Sequence, residues 1–160
     1  MQDYPHTYLV AAAAKSAGNV TLSSPGLPDL ESAAPAEFGG PGDEWSPETL
    51  LVAAVADCFI LSFKAIAKAS DLDWHALSCN VDGVLEKVEK VTRFTGFNIR
   101  AALEVPEGTR ESKAERLLEM AEKHCLITNS LIADSHLEAE VRISSAAAKT
   151  QATSHERSAP

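Results

Sequence analysis

The sequence has few cysteines, few aromatic residues and no excess of basic charge. Its 160 residues include three cysteines, 6% aromatic residues, and 14 Lys and Arg against 23 Asp and Glu. A net charge of −9 offers no basic surface to a phosphate backbone, so no nucleic-acid partner is expected. Three cysteines are also too few, and odd in number, for the disulfide framework of a small secreted domain.

The sequence lacks the motifs that hold metals and nucleotides. It contains no HxH, HExxH or paired CxxC, so no metal site is predicted. Residues 39–42 are glycine-rich, but they lack the Lys-Ser/Thr that a P-loop requires. No cofactor is therefore expected.

No segment has the character of a signal peptide or a membrane anchor. The first six residues lack the basic and apolar regions of a signal peptide. The apolar run at residues 50–63 is interrupted by Asp57 and is shorter than the roughly 20 residues that a bilayer requires. We predict a cytoplasmic protein with reduced thiols and no membrane partner.

Hydrophobic periodicity and turn signals predict an α+β fold, with antiparallel sheet around a central helix. A bulge is indicated by Gly83. Residues 1–143 are predicted to form a single domain, and residues 144–160 a disordered tail with nothing to bury. Strands are predicted at residues 7–14, 20–23, 77–91, 97–105 and 137–143, a long loop at 24–43, and helices at 46–70 and from 112 onward.

The helix predicted at residues 46–70 is apolar on almost every side. Ser46 is a suitable N-cap, Pro47 suits the first helical position, and Glu48 in the first turn is favoured by the helix dipole. One sheet cannot cover a helix that has no polar face. We therefore predict a homodimer in which a partner subunit covers the remaining face.

Cys58 lies inside this first helix, and Cys125 near the end of the second, which a capping box at residues 112–115 is predicted to open. Polar residues 128–130 should interrupt the second helix. Most buried free cysteines are inert packing residues, and two thiols can do reversible redox chemistry only if the fold brings them together. The residues alone leave both possibilities open, whereas Cys79 has no companion signal and is interpreted as structural.

Two neighbours of these cysteines carry weaker signals. Asp57 is expected on the opposite side of the helix from Cys58, since adjacent helical residues diverge by about 100°. For the same reason His124 and Cys125 should point apart, which argues against a Cys–His protease.

Five segments together resemble the OsmC/Ohr family of osmotically inducible and organic-hydroperoxide-resistance peroxidases. They are FGGPG at 38–42, WSPETLLVAA at 45–54, ADCF at 56–59, VDG at 81–83 and AEKHCLITNSL at 121–131. The resemblance implies an intertwined α+β homodimer in which antiparallel sheets surround two long central helices. The active sites would lie at the subunit interface.

The resemblance also implies a thiol mechanism. Cys58 matches the peroxidatic cysteine, Cys125 the resolving cysteine, and Glu48 the carboxylate that orients an active-site arginine. Cys58 would reduce a small organic hydroperoxide and become a sulfenic acid, which Cys125 converts to a disulfide. A dithiol reductant, lipoyl-type or another thiol, would reset the pair.

The chain departs from the family at the arginine that holds the thiolate. No arginine occurs before Arg93, and the position preceding Phe38 is Glu37. Without a cation, Glu48 and burial would raise the pKa of Cys58. Candidate substitutes are Lys15, His6, Arg93 and Arg100.

Two alternatives follow from these observations. A family member with little peroxidase activity could bind a small apolar or organosulfur molecule at the interface, which the missing arginine favours. A hot-dog-type thioesterase would use Glu48 or Asp57 as base and leave the cysteines as bystanders.

Overall fold

The computed structural model describes residues 3–144. They fall into two compact units that divide between Leu51 and Val52. The single domain predicted over residues 1–143 stays a prediction. Of the predicted tail, Ser144 ends a strand and residues 145–160 lie outside the described residues.

The first unit contains a three-stranded antiparallel sheet. Its strands are β1 (Ala11–Ala14), β2 (Val20–Ser23) and β3 (Leu30–Ser32), in the order β1-β2-β3. The strand predicted at residues 20–23 is confirmed, and the one predicted at 7–14 is shorter. The predicted long loop contains β3 and a 3₁₀ turn at Ala36–Phe38.

Gly40 marks a close backbone approach in this loop. A Cβ at position 40 would lie 1.6 Å from the Ala34 carbonyl oxygen, so only glycine fits without moving the backbone. Close packing thus explains the glycine at position 40 without a phosphate-binding role for the glycine-rich segment.

The first helix, α1, spans Pro47–Ala69 and begins as predicted. The Ser46 hydroxyl accepts a hydrogen bond from the Thr49 backbone N–H at 3.2 Å, and the Thr49 hydroxyl accepts one from the Ser46 N–H at 2.8 Å. These two bonds satisfy amides that a helix start leaves without partners. Glu48 occupies the first turn, where the helix dipole favours a carboxylate.

Only one stripe of α1 is buried, at every fourth residue: Val55, Phe59, Phe63 and Ala67. The opposite side carries Asp57, which is exposed as predicted, and Leu61, which is 54% exposed. At 23 residues the helix is long and apolar enough to span a membrane by length and composition alone. The sequence argument from a shorter apolar run therefore does not hold, and the buried stripe is the better argument for a core helix.

The second unit contains the sheet β4-β5-β6, built from β4 (Ala76–Val88), β5 (Val91–Pro106) and β6 (Asp134–Ser144). Helix α2 (Glu111–Lys123) connects β5 to β6. The predicted alternation of β5 is confirmed, because five alternate side chains are buried: Phe97, Ile99, Ala101, Leu103 and Val105. Side chains of α2 add to this core: Ala114, Leu117, Leu118 and Ala121.

The prediction of antiparallel strands is confirmed for β1–β3 and for the β4–β5 hairpin, and β6 is the exception. Strand β6 runs parallel to β5 over the whole register from Gly96↔Asp134 to Pro106↔Ser144. The physical reason is the connection. A helix crossover returns the chain to the end of the sheet at which β5 begins, and that produces a parallel pair.

The predicted capping box at residues 112–115 is wrong. Helix α2 begins at Glu111 with Arg110 as N-cap and no capping side-chain hydrogen bond, so Ser112 lies inside the helix. The helix ends at Lys123, and Cys125 follows it in a turn instead of lying within it. The predicted interruption is confirmed, since Thr128–Ser130 forms a separate 3₁₀ turn.

The register shift in the hairpin lies between Val84 and Leu85, one residue beyond the bulge expected at Gly83. Gly83 has a different role. A Cβ there would lie 2.7 Å from Val52 Cγ2 and 2.8 Å from Phe94 Cε1, so glycine permits close packing against α1 and β5.

We expect Gly83→Ala to lower the free energy of unfolding by about 1–3 kcal/mol, because overpacking forces neighbours out of place. Gly96→Ala is the matched control in the neighbouring strand. Its Cβ would meet nothing nearer than the Asp134 carbonyl oxygen at 3.9 Å, so that change should be close to neutral. Urea unfolding of both variants measures the difference, and equal values would contradict the packing role of Gly83.

Candidate redox site

Cys58 and Cys125 come together in the second unit. Cys58 projects from α1 and is half-buried, and Cys125 lies in the turn after α2 and is fully buried. The two thiols lie near enough for each to shift the pKa of the other. The structure thus joins the two cysteines that sequence reasoning could not bring together.

The turn that carries Cys125 is fixed by its own polar side chains. The Thr128 hydroxyl donates to the Cys125 carbonyl at 3.1 Å, and the Asn129 amide donates to the Lys123 carbonyl at 3.1 Å. The Ser130 hydroxyl donates to the Leu126 carbonyl at 2.8 Å. These three bonds explain the Thr-Asn-Ser run in physical terms, since such side chains replace the carbonyl partners lost when a helix ends.

Three backbone amides of the same turn lie near the two cysteines. In the described part of the chain, the N–H groups of Leu126, Ile127 and Thr128 donate to no carbonyl oxygen. The Ile127 and Leu126 amides act to lower the pKa of Cys58, and the Thr128 and Ile127 amides act to lower the pKa of Cys125. The Ile127 amide therefore influences both thiols.

Burial raises the pKa of the Cys58 thiol, and the neighbouring Cys125 raises it further. The Ile127 and Leu126 amides act in the opposite direction because they favour the thiolate. The balance lies toward a raised pKa, so burial and a like-charged neighbour outweigh two backbone donors.

The pKa of Cys125 is lowered, although its burial acts to raise it. The side chain and amide of Thr128, the Cys58 thiol and the Ile127 amide together outweigh that burial.

Cys79 lies nearer to this pair than the sequence suggested. It sits on β4 opposite Ala101, with its side chain on the same face as the buried residues of β5. Burial, followed by the charge of Cys125, raises the pKa of Cys79 to about 11. A thiol with that pKa stays protonated near neutral pH and is a poor nucleophile.

Glu48 belongs to the first unit, and the three cysteines belong to the second. Its Oε2 atom is buried and has no hydrogen-bond partner among the described residues. Buried carboxylate oxygens normally have a donor. Of the candidate substitutes for the missing arginine, Arg100 is engaged by Asp82 on the neighbouring strand.

Within residues 3–144, no group of three or more His, Cys, Asp or Glu side chains is placed to hold a metal ion. His124 is the C-cap residue of α2, and its N–H donates to the Met120 carbonyl at 3.0 Å. The site therefore consists of thiols and backbone amides.

Sequence reasoning missed the amides of residues 126–128 and the nearness of Cys79. The run of Thr128, Asn129 and Ser130 was the available signal for the turn, because such residues tie down carbonyls and leave nearby N–H groups free. Sequence reasoning could not show that these N–H groups lie near Cys58, since that depends on how α1 packs.

Residues 40–152 match the family model described as OsmC-like protein. A curated relative, the uncharacterised protein YmaD of Bacillus subtilis (strain 168), is 23% identical over 112 residues. That alignment covers 68% of this chain and 75% of the relative.

Two solved structures share the fold. One is an OsmC-like protein of unknown function from Vibrio cholerae, with a TM-score of 0.77 and 21% identity. The match covers 84% of this chain and 99% of the Vibrio cholerae chain. An organic hydroperoxide resistance protein OsmC from Legionella pneumophila, also described as a predicted redox protein, has a TM-score of 0.68 at 24% identity, with 87% and 98% covered.

The family model extends over more than half of the chain, from the glycine-rich loop through both cysteines, and confirms the resemblance noted in the sequence. The chain belongs to the OsmC-like protein family.

Proposed function

We propose that the protein reduces organic hydroperoxides by a two-cysteine mechanism. The Cys58 thiolate attacks the distal peroxide oxygen, the O–O bond breaks, and the alkoxide takes up a proton and leaves as an alcohol. Cys58 is then a sulfenic acid. The Cys125 thiolate attacks its sulfur, which forms the disulfide and releases water. Two electrons from an external dithiol, lipoyl-type or another thiol, restore both thiols.

One observation carries the proposal: a half-buried thiol lies near a fully buried one. A peroxide can reach Cys58 more easily than Cys125, which supports Cys58 as the attacking thiol. The buried Cys125 is proposed to close the disulfide.

The electrostatics of the pair suit the second step better than the first. The lowered pKa of Cys125 provides a thiolate for attack on the sulfenic acid. The raised pKa of Cys58 leaves little thiolate there near neutral pH. We therefore expect a slow first attack followed by fast disulfide closure.

Glu48 is proposed to orient a donor at the site, as the family resemblance implies. Its buried Oε2 atom, which lacks a partner among residues 3–144, supports this role, because a cation or N–H donor would satisfy it. Which group supplies that donor is a separate matter from the thiol chemistry.

We also propose that the working protein is a cytoplasmic homodimer. Support for the dimer comes from α1, of which one stripe is buried while the opposite face, with Leu61, is open. A second copy would cover the apolar part of that face.

The test is the rate at which one equivalent of an organic hydroperoxide converts the reduced protein to the Cys58–Cys125 disulfide, followed by peptide mapping. We expect the rate to rise about tenfold per pH unit from pH 6 to pH 8, because deprotonation creates the attacking thiolate and the pKa of Cys58 is raised. A rate independent of pH in this range would contradict a protonated resting Cys58. If no Cys58–Cys125 disulfide forms, the peroxidase proposal fails.

The raised pKa of Cys58 also favours the second candidate, a family member that binds a small apolar or organosulfur molecule. A poorly ionised thiol is a weak peroxide nucleophile but a suitable lining for an uncharged ligand. Thiols that stay reduced under excess peroxide at pH 8 would select this function over the first.

A further inference from the structure

We infer that Lys113 is a positioning residue for the thiol pair: its ammonium group joins the first turn of α2 to the carboxyl end of α1, and this contact sets the separation of Cys58 and Cys125. The inference rests on the proposed function for the use of that separation, since disulfide formation requires the two sulfurs to meet. It concerns which contact holds the two helices in place.

The carboxyl end of α1 is closed by a backbone motif that leaves two carbonyl groups over. Asp71 has a φ of +47°, in the left-handed region, and the Leu72 N–H donates to the Ala67 carbonyl at 3.0 Å. This is a Schellman C-cap, and Leu72 packs behind it at 8% exposure. The Ser70 and Asp71 carbonyls accept no backbone hydrogen bond within residues 3–144, so both are open to another donor.

Lys113 is that donor, and it comes from α2. Its Nζ atom donates to the Ser70 carbonyl at 2.8 Å and to the Asp71 carbonyl at 3.4 Å. The positive charge also suits the negative end of the α1 dipole. In the described part of the chain, no other hydrogen bond joins α1 or these two residues to α2.

Helix α2 itself gains nothing from a lysine at this position. Lys113 is the third residue of the helix, where the positive end of the helix dipole disfavours a cation. The N-cap residue, Arg110, makes no capping side-chain hydrogen bond either. A side chain that conflicts with its own helix but satisfies the neighbouring one indicates a role between the two.

The Lys113 contact and the thiol pair lie at matching places along the two helices. Cys58 is 12 residues before Ser70, and Cys125 is 12 residues after Lys113. At about 1.5 Å per helical residue, each stretch is about 18 Å long. A shift of α2 along α1 would therefore move Cys125 past Cys58 by a similar distance, and the Lys113 contact opposes such a shift.

The experiment follows disulfide closure without peroxide, in the full-length protein with the aromatic disulfide dithiobis(nitrobenzoate). Cys58 attacks the reagent, forms a mixed disulfide and releases one thionitrobenzoate. Cys125 then attacks the Cys58 sulfur, which releases the second thionitrobenzoate and closes the Cys58–Cys125 disulfide. Absorbance measures both releases, and peptide mapping identifies the disulfide.

We expect Lys113→Met to slow the second release about tenfold and to leave the first within about twofold. Methionine keeps an unbranched side chain but has neither the charge nor the N–H donors. The first release depends on Cys58 alone, whereas the second depends on the distance between the sulfurs, and a displacement of about 1 Å can slow a reaction by up to about a hundredfold.

Two variants serve as controls. Lys68→Met removes a cation from the last turn of α1, but Lys68 belongs to α1 itself, so both releases should stay within about twofold of the wild type. Lys113→Arg keeps a cation with N–H donors and should restore most of the second rate. Thermal midpoints of the variants show whether a slower closure merely follows a loss of stability.

A second release in Lys113→Met within about twofold of the wild type overturns the inference. So does a Lys68→Met variant that closes as slowly as Lys113→Met, because charge at the helix end would then be the cause. A wild-type chain that releases only one thionitrobenzoate also overturns it. If Lys113→Met does not fold, Lys113→Gln is judged by the same criteria. A protein that closes the disulfide in two releases but consumes no peroxide would refute the proposed function and leave this inference standing.

Discussion

Replacing Cys58 by serine should slow the consumption of an organic hydroperoxide by at least about a thousandfold, the largest effect expected of any single change to this chain. A serine hydroxyl is not ionised near neutral pH and cannot form a sulfenic acid, so neither the first attack nor the disulfide is available. The measurement is peroxide loss with a dithiol reductant in excess. A background rate from the reductant alone sets the lower limit of the assay.

Cys79→Ser is the matched control for that experiment. Cys79 lies close to Cys125, but its pKa of about 11 leaves only about one molecule in ten thousand ionised at pH 7. The control should therefore keep nearly all peroxide consumption. A loss in Cys79→Ser as large as in Cys58→Ser would contradict the assignment of Cys58 as the attacking thiol.

Cys125→Ser separates the two steps. Turnover should stop after one equivalent, with a stable sulfenic acid on Cys58, because no second thiol is in place to close the disulfide. That first equivalent should react faster than in the wild type, since the Cys125 charge that raises the pKa of Cys58 is gone. A slower first equivalent would show that Cys125 assists the attack.

The sequence was most informative where a local pattern had a single physical outcome. Ser46 and Pro47 placed the start of α1 at the correct residue, and strict alternation identified the buried face of β5. The direction of β6 was not predictable in this way. An alternating strand has the same pattern whether its neighbour is parallel or antiparallel, and only the helix crossover decides between them.

The candidate site shows the same division. The motifs could single out Cys58 and Cys125 as candidates, but whether the two lie near each other depends on how α1 packs against the turn after α2. The capping box failed because Ser112-to-Glu115 spacing also occurs inside a helix, where the backbone amides already have partners. Backbone donors such as Ile127 have no residue type of their own, so a sequence pattern cannot reveal them.

The second large effect concerns the uncovered face of α1. In the proposed homodimer, Leu61 passes from 54% exposure into the contact between the two copies. Leu61→Asp would place an unpaired carboxylate in the interface and remove an apolar side chain from it. Because the dimer is symmetric, both subunits carry these changes. About 2 kcal/mol per copy gives about 4 kcal/mol for the dimer, which raises the dissociation constant about a thousandfold.

Light scattering coupled to size-exclusion chromatography measures this directly. The wild type should elute at twice the 17.0 kDa chain mass, and Leu61→Asp at the chain mass over the same concentration range. Ile132→Asp is the matched control, because Ile132 lies on a loop outside α1 and is 93% exposed. A wild-type protein at 17.0 kDa, or a Leu61→Asp variant that remains dimeric, would contradict a dimer formed through α1.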